Sequence, residues 1–189
     1  MTTERQRYGI EFDHMRLLAI SGSLRAASSN TAVLQAAARL APAGVMIELY
    51  DRLGDLPHFN PDFDNERLPA IVAELRALTG AVDGILISSP EYARGVPGAL
   101  KNALDWLVGS FEFPHKCVAL INTSPRATHA QASLTTTLET MSARLVTEAS
   151  VTLPLLGTTL SVDEIVERAE LAGPLRQAIA AFVETIGRH

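Results

Sequence analysis

The stretch Ser21–Asn30 reads SGSLRAASSN. Ser23, Ser28 and Ser29 bring hydroxyls, Asn30 an amide, and Arg25 a planar guanidinium. Where a strand runs into a helix, the free backbone N–H groups of the helix N-terminus already favour an anion. The five polar groups added to them suit a terminal phosphate. Ser and Asn favour N-caps without any ligand, but a cap needs only one such residue. The Gly-Lys-[Ser/Thr] ending of a Walker A loop is missing. Gly22 stands alone where a dinucleotide fingerprint has three glycines. A single phosphate, as on a mononucleotide, therefore fits better than a pyrophosphate.

A second chemistry-bearing stretch runs from Ser88 to Trp106, SSPEYARGVPGALKNALDW. It offers a loop with Pro90, Glu91 and Tyr92 before a patterned helix. Other polar residues point to less. Cys117 opens an apolar strand and reads as a buried, inert thiol. His58 and His115 lie far apart, His14 and His189 sit at the termini, and no metal-ligand spacing appears. Asp62, Asp64 and Glu66 lack the EF-hand spacing and read as a solvated loop. Ser21-Gly22-Ser23 is not G-x-S-x-G, so a hydrolase nucleophile is poorly supported.

The elements that must hold these loops follow from periodicity. Apolar runs predict strands over Arg16–Ser21, Val45–Tyr50, Val82–Ser88 and Cys117–Ile121, and a fifth over Leu145–Leu153. Helical spacing predicts helices over Asn30–Leu40, from Pro69 to a stop at Gly80, and from Pro97 with Leu100, Leu104, Leu107 and Val108 facing inward. Further helices follow around Leu134–Met141 and over Asp163–Ile186, the last broken at Gly173-Pro174. Asp51–Glu66 reads as a loop. Five strands alternating with five helices argue for an α/β three-layer sandwich on a five-stranded parallel sheet. Ligands in such sheets bind outside the carboxyl ends of the strands, so the loops after strands one, three and four are the ones to inspect.

Composition narrows the classes. The chain has 189 residues, 47% of them hydrophobic, which fits one domain, expected over residues 15–189, behind a short arm, Met1–His14. A formal charge of −5 argues against a basic nucleic-acid binder, and 5% aromatics argue against a base-stacking platform. One cysteine allows no internal disulfide. Residues 1–14 have no apolar h-region and no apolar run approaches the ~18 residues of a membrane span. No secretory signal or membrane partner is expected, and the expected location is cytoplasmic.

The two loops together resemble the NADPH-dependent FMN reductases with a flavodoxin-like fold, a group that includes small quinone, chromate and azo-dye reductases. Gly22, Ser23, Arg25, Ser28 and Asn30 match a G-S-x-R-x-x-S-x-N loop. Pro90, Glu91, Tyr92, Pro97, Gly98, Leu100 to Ala103, Asp105 and Trp106 match P-E-Y-N-x-x-x-P-G-x-L-K-N-A-x-D-W. Two departures stand out. Ala93 replaces the usual Asn. The stretch Asn122–Gln131 has no glycine where a Gly-rich turn near the flavin is common, and Arg126 and His129 occupy it.

The resemblance implies that Gly22, Ser23, Arg25, Ser28, Ser29 and Asn30 hold the FMN phosphate. It implies that Pro90, Glu91 and Tyr92 meet the isoalloxazine, with Ser124 from the loop after strand four. Lys101, Asn102 and Trp106 are expected in structural or subunit contacts. No side chain is assigned as catalytic, because the cofactor carries the chemistry. The implied activity passes a hydride from NADPH or NADH to FMN and then electrons to a quinone, chromate, azo or similar acceptor, by a ping-pong mechanism. A homodimer or homotetramer is implied. A flavodoxin-type electron carrier, and a non-flavin phosphate binder on the same scaffold, are the alternatives.

Overall fold

The computed structural model describes residues 15–155 and 160–188. The arm Met1–His14 and the terminal His189 lie outside the described residues. The strands are β1 (Met15–Ser21), β2 (Val45–Tyr50), β3 (Gly84–Ser88), β4 (Cys117–Asn122), β5 (Arg144–Leu145) and β6 (Val151–Thr152). The helices are α1 (Ser29–Leu40), α2 (Ala70–Ala81), α3 (Gly98–Val108), α4 (Thr128–Thr140), α5 (Val162–Glu167) and α6 (Ala169–Gly187). All strand pairs are parallel, in the order β2-β1-β3-β4-β5, with β6 also on β4. That is the flavodoxin-like order, whose direction reverses between β1 and β3.

The pleat explains the three layers. Leu17 and Ala19 of β1 enter a core with Val33, Leu34 and Ala37 of α1 and Leu175, Ile179 and Phe182 of α6. Their neighbours Leu18 and Ile20 point the other way, to a core with Leu75 of α2, Leu104 of α3 and Leu138 of α4. A strand buried on both faces must be apolar throughout, which is why β1, β3 and β4 read as unbroken apolar runs.

The structure corrects several expectations. The fifth strand is not continuous over Leu145–Leu153. A 3₁₀ turn at Thr147–Ala149 divides it into β5 and β6. The Ser150 hydroxyl donates to Val146 O in that turn and accepts from Leu120 N–H, so it takes a bond that a straight strand would have given to β4. The C-terminal helix does not break at Gly173-Pro174. It breaks at Arg168, whose extended backbone ends α5 and starts α6. Pro174 is carried inside α6, and the preceding Gly173 has no Cβ of the kind that disfavours the helical conformation before a proline. Glu170, whose carbonyl loses its partner there, is exposed to water.

Val108 does not face inward. It is the last residue of α3 and is exposed. Gly80 lies inside α2, and Pro69 and Pro97 precede their helices rather than opening them.

The loop over 51–66 is pinned to α3. Asn102 accepts from Phe59 N–H at 2.7 Å and donates to Pro57 O at 2.9 Å. Trp106 is fully buried, its indole N–H donates to the same carbonyl at 2.8 Å, and its ring meets Phe59 edge-on. Asn102 and Trp106 are thus structural, and Lys101 pairs with Asp105 on the exposed face of α3. Cys117 is buried, and burial pushes its thiol pKa up.

Candidate functional site

The loops after β1, β3 and β4 meet at the carboxyl ends of their strands, around a cleft of about 600 Å³. Ser23, Arg25, Ser28, Ser29 and Asn30 line it from the first loop, Pro90, Glu91 and Tyr92 from the second, and Ser124 from the third. Nine of the ten residues singled out in the sequence therefore share one cleft. Gly22 is the tenth, and it lies behind the wall rather than on it. Its N–H donates to Ser88 O at 2.8 Å, and a Cβ there would come within 2.8 Å of Ser89 Oγ. The glycine lets the first loop press against the third strand's end.

The first loop is built by short-range hydrogen bonds. Ser28 caps α1, its hydroxyl accepting from Thr31 N–H at 3.3 Å. Ser21 and Thr31 hydroxyls bond at 2.8 Å, closing the loop at its base. Ser23 Oγ accepts from Arg25 N–H. Ser28 is therefore both the cap and a lining residue. Arg25 projects, exposed, and no carboxylate pairs with it among the described residues.

Asn30 does more than line the wall. Its side-chain oxygen accepts from Ser88 Oγ at 2.9 Å and from Thr123 Oγ1 at 3.1 Å. All three residues are buried. One amide thus ties the first, third and fourth strand ends together and leaves only its own NH₂ toward a ligand. Ser88 and Thr123 were not singled out in the sequence, because the partners lie 58 and 93 residues apart.

The second loop is a two-residue hairpin. Tyr92 N–H donates to Gly95 O and Gly95 N–H to Tyr92 O. Ala93 and Arg94 between them have φ of 49° and 60°. Positive φ at both central positions is a type I′ turn, which favours Asn and Gly. Ala93 and Arg94 hold it at a cost of about 1–2 kcal/mol each. The hairpin leaves the Tyr92 ring half exposed at the rim.

Glu91 reaches the third loop. α4 starts after Ala127, which has no capping side chain. Glu91 fills that role from 39 residues away, its carboxylate accepting from Ala130 N–H at 2.9 Å. A negative group at a helix N-terminus is favourable for both hydrogen bonding and the helix dipole. In the third loop itself, Ser124 N–H donates to Asn122 Oδ1, and Ser124 Oγ accepts from Arg126 N–H. Arg126 lines the cleft, as do Thr123 and Leu155, whereas His129 does not.

The donor set fits a monophosphate ester with an attached planar ring. The first loop offers a helix N-terminus, hydroxyls and a guanidinium. The rest of the cleft is broad, with Tyr92, Pro90 and Leu155 as apolar surfaces.

The model of the NADPH-dependent FMN reductase family matches residues 15–155. An NAD(P)H-dependent FMN reductase of Pseudomonas aeruginosa is 44% identical over 94 residues, 50% of this chain and 50% of that protein. A quinone reductase of Escherichia coli is 35% identical over 96 residues, covering 50% and 51%. The match thus spans about half the length of these curated relatives. Among solved structures, a flavoenzyme NAD(P)H:acceptor oxidoreductase from Paracoccus denitrificans aligns with a TM-score of 0.77 at 29% identity, over 93% of this chain and 98% of that one.

Proposed function

The chain belongs to the NADPH-dependent FMN reductase family, and on that premise we propose that it is an FMN-dependent oxidoreductase that takes hydride from NADPH or NADH and reduces a small acceptor such as a quinone. The observation that carries the proposal is the convergence of the phosphate loop, the Pro90-Glu91-Tyr92 hairpin and the β4 loop on one cleft at the β1/β3 switch point.

Ser23, Arg25, Ser28 and Ser29, with the N-terminus of α1, hold the FMN phosphate. Gly22 supports them from behind, and Asn30 fixes the loop while donating its NH₂. Pro90, Glu91 and Tyr92 present backbone groups and one aromatic side chain to the ring, and Ser124 lies on the opposite loop. Bound FMN supplies the hydride-accepting and electron-donating ring. The protein supplies orientation, and backbone donors at the strand ends stabilise negative charge on the ring's carbonyl edge. Donor and acceptor use the same cleft in turn, which gives ping-pong kinetics. Quinone, chromate and azo compounds are acceptors of the right kind.

A second copy of the chain covers the open cleft, where Tyr92 stands half exposed, so a homodimer or homotetramer is the working form. The cytoplasm, where the reduced dinucleotides are made, is the location. Among the described residues no helix is long and apolar enough to cross a membrane.

The visible spectrum of the purified protein with added FMN, followed by NADPH and NADH oxidation with a quinone and no partner protein, tests this reading. Flavin binding with turnover and parallel double-reciprocal lines is expected. Protein that binds no FMN and oxidises neither donor overturns it. Sedimentation at micromolar concentration showing monomer alone overturns the oligomer.

A further inference from the structure

We infer that Arg126 anchors a phosphate group of the reduced nicotinamide dinucleotide, at a second anion position in the cleft. The inference rests on the proposed function and adds a residue to it.

Of the twelve arginines among the described residues, Arg16, Arg39, Arg52, Arg76, Arg168 and Arg188 each form an ion pair. Arg25, Arg67, Arg94, Arg126, Arg144 and Arg176 form none within those residues, and of these only Arg25 and Arg126 line the cleft. FMN has one phosphate, and the β1 loop already brings Arg25, serine hydroxyls and a helix N-terminus to it. Arg126 stands elsewhere, on the loop after β4. Since β3 separates β1 from β4 in the sheet, the two arginines reach the cleft from either side of the Pro90-Glu91-Tyr92 hairpin.

The other groups of the β4 loop are satisfied from within. Thr123 donates to Asn30, and Ser124 Oγ accepts the backbone N–H of Arg126. Glu91 is the one carboxylate among the lining residues, and it is turned to Ala130 N–H rather than to either guanidinium. A charged fork of five donors is thus left at the solvent side of the cleft with no protein partner. The proposed second ligand of that cleft is itself a multiply charged anion, and a guanidinium matches phosphate oxygens in pairs. The pyrophosphate and the 2′-phosphate share this chemistry. NADH carries only the first and NADPH carries both, so the two donors distinguish them.

The test compares FMN-loaded wild type with Arg126→Gln and with Arg176→Gln, a charge control on the exposed face of α6. Calorimetry gives the dissociation constants of NADP⁺ and NAD⁺, steady-state kinetics the two KM values, and flavin fluorescence the FMN affinity. Arg126→Gln is expected to weaken dinucleotide binding and raise KM at least tenfold, with FMN affinity within twofold. An effect confined to the phosphorylated dinucleotide assigns the 2′-phosphate, and one shared by both assigns the pyrophosphate. Unchanged binding of both dinucleotides, an equal change in Arg176→Gln, or a parallel loss of FMN affinity overturns the assignment. Wild type that holds no FMN overturns the proposed function instead.

Discussion

The first and fourth strand-loop-helix units do the same job on opposite sides of β3, and they are built in opposite ways. Apart from the ties of Gly22 and Asn30 to Ser88 and Thr123, the loop between β1 and α1 is closed by its own neighbours. Ser28 caps α1 from the adjacent position, Ser21 reaches Thr31, and Ser23 holds Arg25, all within 10 residues. The fourth unit borrows. α4 has alanine at its N-cap and takes its cap from Glu91. Thr123 is held by Asn30, and the strand after α4 is cut in two. Under the proposed function the difference would follow the ligand. A phosphate is small and always the same, so a rigid local cradle would suit it. The ring side would have to admit a dinucleotide and then an acceptor, and a loop held by distant contacts could be adjusted for each.

Mutations can break this contrast. The largest effect is expected from Asn30→Ala, which strips two buried hydroxyls, Ser88 and Thr123, of their shared acceptor. A loss of about 3 kcal/mol in urea unfolding is expected. A loss below about 1 kcal/mol would mean that the two units are not joined through this amide. Gly22→Ala forces a Cβ against Ser89 and Leu100 and is expected to cost about 2 kcal/mol, with weaker FMN binding.

Glu91→Ala sharpens the contrast directly. It should cost about 1–2 kcal/mol and speed hydrogen exchange at the first amides of α4, while those of α1 stay as they were. Equal acceleration in both helices would erase the distinction between a built and a borrowed cap. The smallest effect has the opposite sign. Ala93→Gly relieves one left-handed residue and is expected to stabilise the protein by about 1 kcal/mol, read as a raised melting temperature. No gain would show that the hairpin carries no strain.

The same contrast explains what could be read from the sequence. The first loop was legible as a capped helix entry because its partners are neighbours in sequence and their residue types announce a helix N-terminus. The sheet was legible because β1, β3 and β4 are buried on both faces. Glu91 was visible as part of a motif, but its capping of α4 was not, since nothing in either segment names a partner 39 residues away. The reach of Asn30 to Ser88 and Thr123 was hidden for the same reason. The run from Leu145 to Leu153 has enough apolar character for a strand, and only the Ser150 bond to Leu120 N–H shows why it turns. The break at Arg168 carries neither Gly nor Pro, so the eye goes to Gly173-Pro174 instead.

The divided strand beside β4 has a consequence for how copies of this chain can meet. A foreign strand joins a sheet by matching a continuous row of unpaired N–H and C=O groups. On this side the row is only two residues long, twice, with a turn between. The opposite border, β2, runs six residues unbroken and exposes Met46. Growth of a fibre by edge-to-edge addition needs two compatible borders on each molecule. This one offers a template on one side and a stop on the other.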